Sequence, residues 1–262
     1  KKKIFKSLLF LIISVSFIII TLSSLGNLYE KRGKIYKKFL TKHPDEKKAM
    51  EYGPSKKEIF WAKEILKGGY ILHFRHAERD KRNDVTMYDS LESDVHNNGR
   101  DNSRFAENDY FKDAVCLNER GKIQAKAIGE HIKNLKLPIS YVASSVSCRA
   151  RQTADLAFDG YDTLSRLLVH SGPYNQTYDK RVKNLKEYYL SLPIYKNGNT
   201  IVSAHNGVIR GHMFENYDDI KDDGRLHLEE GGFYIISKKQ NKLFFEFEFN
   251  NFAFFTAALY DR

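Results

Sequence analysis

From Leu8 to Leu25 the chain runs through apolar residues broken only by serines and Thr21. As a helix rising about 1.5 Å per residue, this run nearly matches a hydrocarbon layer about 30 Å thick. It is longer than the apolar core of most cleaved leaders, and Ser24 and Gly26 make a weak cleavage site. Residues 1–26 are therefore expected to be an uncleaved signal anchor, with a cleaved signal peptide as the alternative. Residues 27–53 are charged and lack an apolar period, which reads as a basic juxtamembrane stalk. Gly53-Pro54-Ser55 marks a boundary, and residues 54–262 form the remaining domain.

Within that domain the periodicity keeps switching. Ser55-Lys56-Lys57-Glu58 has the form of a capping box, opening a helix to about Leu66 that Gly68-Gly69 ends. Tyr70 to Phe74 is a short apolar run of strand type. Residues 80–115 are polar, rich in Asn and Asp, and aperiodic, which predicts an insertion too long for an ordinary connection. The positions Leu117, Ile123, Ala127, Ile128, Ile132 and Leu135 predict one face of a helix from Asn118. Further strands are expected at 139–143, 200–203, 233–236 and 243–249, with a short one at 167–169, and helices at 149–158 and 179–190. Strands alternating with helices imply a three-layer α/β/α sandwich with a mostly parallel sheet. Functional groups in such folds collect beyond the carboxyl ends of the strands.

The net charge of +10 suggests nucleic acid until it is placed along the chain. Residues 1–64 hold 15 of the 43 Lys and Arg but only 6 of the 33 Asp and Glu, so the rest of the chain is nearly neutral. A basic excess confined to a membrane-proximal stretch fits lipid headgroups, and no nucleic-acid partner is expected. Lys and Arg flank the apolar run on both sides, which blunts the positive-inside rule. A short N-terminal tail before a large domain still favours an extracytoplasmic, periplasmic catalytic domain. Cys116 and Cys148 either form one disulfide, tying the end of the insertion to the following loop, or remain buried thiols.

Four segments carry candidate chemistry: Arg75-His76-Ala77-Glu78-Arg79, Leu117-Asn118-Glu119-Arg120-Gly121, Ser144-Ser145-Val146-Ser147-Cys148-Arg149-Ala150 and Ser203-Ala204-His205-Asn206-Gly207. Arg75, Arg79 and Arg149 offer planar forks suited to phosphate oxygens. Guanidinium charge around His76 favours the neutral imidazole that a nucleophile must be. Asn206-Gly207 is expected to open a helix whose amides add to the anion site. The chain shows no metal-ligand cluster and no phosphate-cradling glycine loop, so no metal or cofactor is expected.

In their order and spacing these segments resemble the histidine phosphatase superfamily, of phosphoglycerate mutase-like fold, over roughly residues 68–240. The resemblance implies that His76 is phosphorylated, that Arg75, Arg79 and Arg149 bind the phosphate, and that His205 completes the pocket. The substrate would be a small phosphorylated molecule. The Arg-His-Ala-Glu-Arg-Asp opening looks like that of bacterial members acting on heptose phosphates of the envelope. The general acid is the departure from the family: His170 stands where the mutase-like branch has a Glu, and Asn206 where the acid-phosphatase branch has an Asp. His170 is the candidate, with Glu78, Asp80 or a residue of the insertion as alternatives. A catalytically weak phospholigand-binding protein and a phosphomutase are the competing functions.

Overall fold

A computed structural model describes residues 53–80, 115–169, 177–217 and 227–260. The expected anchor, the stalk, most of the insertion and His170 lie outside them. No helix among the described residues is long and apolar enough to cross a membrane.

The first helix, α1, spans Lys56–Ile65, and the capping box is present: Ser55 Oγ accepts from the Glu58 amide while Glu58 reaches back to the Ser55 amide. The chain continues through β1 (Ile71–Arg75), α2 (Glu119–Leu135), β2 (Ile139–Ser145), α3 (Cys148–Phe158), β3 (Thr163–Ser165), α4 (Tyr178–Ser191), β4 (Asn199–Ala204), β5 (Phe233–Lys239), β6 (Lys242–Phe249) and α5 (Phe252–Tyr260). One six-stranded sheet results, in the order β3-β2-β4-β1-β5-β6. The four strands β1 to β4 run parallel, and β5 and β6 add an antiparallel edge.

Alternation along the strands supplies a core on each face. Leu72, Phe74, Val142, Ile201, Phe233 and Ile235 pack with Ile65 of α1, Ile128 and Ile132 of α2, Phe158 of α3 and Phe255 of α5. Ile71, Ala143, Val202, Tyr234 and Ile236 pack on the opposite side with Leu185 and Tyr189 of α4. Helices thus cover both faces of a mixed α/β sheet, as strands apolar on both sides require.

Several expectations shift. Leu167–Val169 is no strand: the ladder forms earlier, at Thr163–Ser165, and Arg166–Leu168 is one turn of 3₁₀ helix. Ile123 is 68% exposed, because α2 buries Gly121, Ala125, Ile128, Gly129 and Ile132 instead. That face is built on small residues, so counting large apolar side chains pointed partly to the wrong side. The apolar segment of α5 was not anticipated.

Candidate active site

β1 and β4 are parallel neighbours with Arg75 opposite Ala204. Their next residues are His76 and His205, so the register alone brings together two histidines 129 positions apart in sequence. The ladder continues one step beyond β1, with the His76 amide donating to the Ala204 carbonyl at 2.9 Å. The two rings lie with centroids 5.3 Å apart, edge to face. β2 flanks β4 on its other side, and the turn after it starts α3, which delivers Arg149 to the same place. His76, His205 and Arg149 are all buried.

Hydrogen bonds decide the tautomers. His76 Nδ1 lies 2.7 Å from the carbonyl oxygen of Ala77, which can only accept, so the proton sits on Nδ1 and the lone pair on Nε2. Burial holds the His76 pKa well below the usual imidazole range, and Arg149 and then Arg75 and Arg79 add to the effect, outweighing the Ala77 carbonyl. His205 is held the opposite way round: Arg149 Nη2 donates to Nδ1 at 3.0 Å, and Nε2–H donates to Ser145 Oγ at 3.0 Å.

The arginines are tethered by backbone carbonyls and, for Arg75, by a carboxylate as well. Arg75 Nη1 donates to the Leu228 carbonyl, and Nη2 pairs with Glu230 at 3.3 Å. Its Nε is buried and lacks a hydrogen-bond partner among the described residues. Burial lowers the Arg75 pKa, with Glu230 opposing and Arg149 assisting. Arg79 Nη1 donates to the Asp80 carbonyl at 2.8 Å, and Arg79 stays near enough to His76 to disfavour its protonation.

The Leu117–Gly121 segment works as a support. Asn118 caps α2 and donates to Glu78 Oε1 at 3.1 Å, and Arg120 pairs with the same carboxylate. Gly121 sits so close to the loop that a Cβ there would lie 1.9 Å from the Glu78 carbonyl oxygen. Gln124 accepts from the Glu78 amide at 2.9 Å and donates to the Glu230 carbonyl at 2.8 Å, while Thr153 Oγ1 accepts from the Ala77 amide at 3.0 Å. Cys116 and Cys148 form a disulfide, which joins the residue before this segment to the start of α3. Sequence reasoning missed Gln124 and Thr153, although each lies one helical turn beyond a residue it singled out. Glu230 carried no signal, because only the pairing of β1 with β5 brings it to Arg75.

Asn206-Gly207 opens no helix. It is a turn with Gly207 at φ 75°, followed by a single 3₁₀ turn at Gly211–Met213. Asn206 instead clamps the next segment, accepting from the Leu228 amide at 3.0 Å and donating to His227 Nδ1 at 2.9 Å. Glu78, one of the alternative acids, is taken up by its contacts with Arg120 and Asn118.

Residues 71–168 match the family described as histidine phosphatase superfamily (branch 1). None of the curated proteins matches the sequence. Among solved structures, the protein histidine phosphatase SixA complexed with tungstate is 13% identical, with 68% of this chain and 95% of that one covered and a TM-score of 0.42. Phosphoserine phosphatase from Entamoeba histolytica gives the same four values, and alpha-ribazole phosphatase from Shigella flexneri is 15% identical, covering 67% and 94%, with a TM-score of 0.38.

Proposed function

We infer that this chain, whose residues 71–168 belong to the histidine phosphatase superfamily, hydrolyses phosphomonoesters through a phosphohistidine on His76. One observation carries the reading: His76 is buried, neutral and tautomerically fixed, with its free lone pair on Nε2. Nε2 attacks phosphorus as the ester P–O bond breaks, and the departing alkoxide takes a proton from a general acid. Water then attacks the phosphohistidine, releasing inorganic phosphate and restoring the imidazole. Arg75, Arg79 and Arg149 hold the equatorial oxygens, and His205 helps anchor the phosphoryl group. Three guanidiniums supply the positive charge, so the proposed reaction is metal-independent.

His170 remains the proposed acid. The apolar N-terminal run supports a membrane-attached, periplasmic enzyme acting on a sugar phosphate of the envelope. A second reading, a weak enzyme that binds phosphoryl ligands better than it turns them over, is favoured by the paired state of Glu78 and by the amide at Asn206.

The test is phosphate release from a chromogenic ester and a panel of sugar phosphates, with protein quenched in alkaline detergent and analysed for acid-labile, base-stable phosphohistidine. His76→Ala is expected to abolish the adduct and to lower turnover by about 10³-fold or more. Turnover surviving intact in that variant overturns the mechanism. Saturable vanadate binding without turnover selects the second reading.

A further inference from the structure

β1 carries a second histidine, three residues before His76, that the proposed chemistry does not use. His73 is fully buried on the face of the sheet that α4 covers. Its ring stacks on Tyr234, with centroids 5.7 Å apart and planes 20° from parallel. Nε2 lies 3.2 Å from the backbone carbonyl of His205, and Nδ1 lies 2.6 Å from the hydroxyl of Tyr189. The carbonyl can only accept, so Nε2 carries the proton and Nδ1 accepts from Tyr189. Burial keeps the Tyr189 phenol protonated and holds His73 neutral, each in the role the other needs.

We propose that His73 is a positioning residue: together with Tyr189 it holds the backbone of His205, and through it the imidazole that contacts Arg149 and Ser145. The carbonyl of His205 lies at the point where β4 stops. The His76 amide uses the Ala204 carbonyl, and Gly207 immediately turns the chain at positive φ. An apolar residue at 73 would leave a buried carbonyl without this donor, which costs about 1–3 kcal/mol and invites the peptide to move. A shift of His205 by a fraction of an ångström would lengthen its contact with Arg149 and misplace two of the groups around the phosphoryl. The bonding is specific to an imidazole or an amide, since both a donor and an acceptor are required about 2 Å apart in one flat group.

The kinetic arm of the test rests on the phosphatase reading, and the spectroscopic arm does not. His73→Leu is expected to lower kcat/KM at least about tenfold, mostly through kcat, and to weaken vanadate binding by a similar factor. His73→Gln, which offers an amide N–H to His205 and a carbonyl to Tyr189, restores most of both. Tyr189→Phe gives a smaller loss in the same direction and covers the case in which His73→Leu folds poorly. Imidazole nitrogen resonances of His205 are expected to move in His73→Leu and to return in His73→Gln, whether or not the protein turns over. His205 resonances unchanged in His73→Leu, or losses equal in the Leu and Gln variants, overturn the proposal. Absent turnover with His205 shifts that follow the pattern would count against the phosphatase reading alone.

Discussion

Arg149 meets three demands at once. It is 2% exposed, donates to the His205 imidazole, and is the largest single charge disfavouring protonation of His76. A lysine at 149 would keep the charge but lose the planar fork that can serve His205 and a phosphoryl oxygen together. Arg149→Lys is therefore expected to reduce kcat/KM by about 10²-fold, a loss of the size seen on removing one oriented donor from a developing oxyanion. Steady-state kinetics on one chromogenic ester would check this, and a loss under threefold would show that charge alone suffices. Residue types and their order already pointed to this group, because an Arg-His pair, a later Arg and a later His are each chemically expensive to bury. Their hydrogen-bond directions were not legible. The proton on His76 Nδ1 is set by the Ala77 carbonyl, and that geometry exists only once the loop after β1 is folded.

The elements show why a motif need not touch its substrate. The N-terminus of α2 is built to receive the loop that carries His76: Asn118, Gly121 and Gln124 all meet Glu78. Gly121→Ala places a methyl group 1.9 Å from the Glu78 carbonyl oxygen, so helix or loop must move. The expected result is a fall of about 10²-fold in kcat/KM from displacement of His76, with α2 itself made no worse a helix, since Ala is the better helix former. Activity measured beside helical content by circular dichroism would separate the two effects. Unchanged activity would mean that the loop relaxes without moving the imidazole. Strand positions were the most legible elements, because Ile71 and Leu72, like Ile201 and Val202, put apolar side chains on both faces of a short run. The 3₁₀ turn at Arg166–Leu168 was not, because a three-residue apolar run fits either geometry and tertiary contact chooses between them.

Across the whole domain, the buried imidazoles link stability to pH. Burial lowers the His73 pKa to about 4, opposed by the His205 carbonyl, and burial followed by Arg149 lowers that of His76 as well. In the unfolded chain both titrate near 6.5. The unfolded state therefore takes up protons first as pH falls, so the stability present above about pH 6.5 is lost on the way to pH 4. For His73 the full effect is on the order of 3 kcal/mol. The midpoint of urea unfolding is expected to drop between pH 7 and 4.5, a window above most carboxylate titration. His73→Gln should remove about half of that slope. A flat profile over this range would mean that the two imidazoles take up protons in the folded protein at the same pH as in the unfolded chain. The aromatic groups against His73 are Tyr189, whose phenol burial keeps protonated, and Tyr234, and no carboxylate among these described contacts reverses the sign.

Composition and order of the chain settle the α/β class, the strand ends and the identity of the groups gathered at them. These follow from local periodicity and from the cost of placing Arg and His beside apolar strands without a purpose. Which groups meet is a matter of register. The pairing of β1 with β4 joins His76 to His205, and the pairing of β1 with β5 brings Glu230 and the Leu228 carbonyl to Arg75. The tautomers of the three buried histidines, the clamp made by Asn206 and the support of His205 by His73 depend on distances between residues far apart in sequence. No local pattern encodes them, because a hydrogen bond of 3 Å is fixed by how whole strands and helices pack, not by the residues on either side of it.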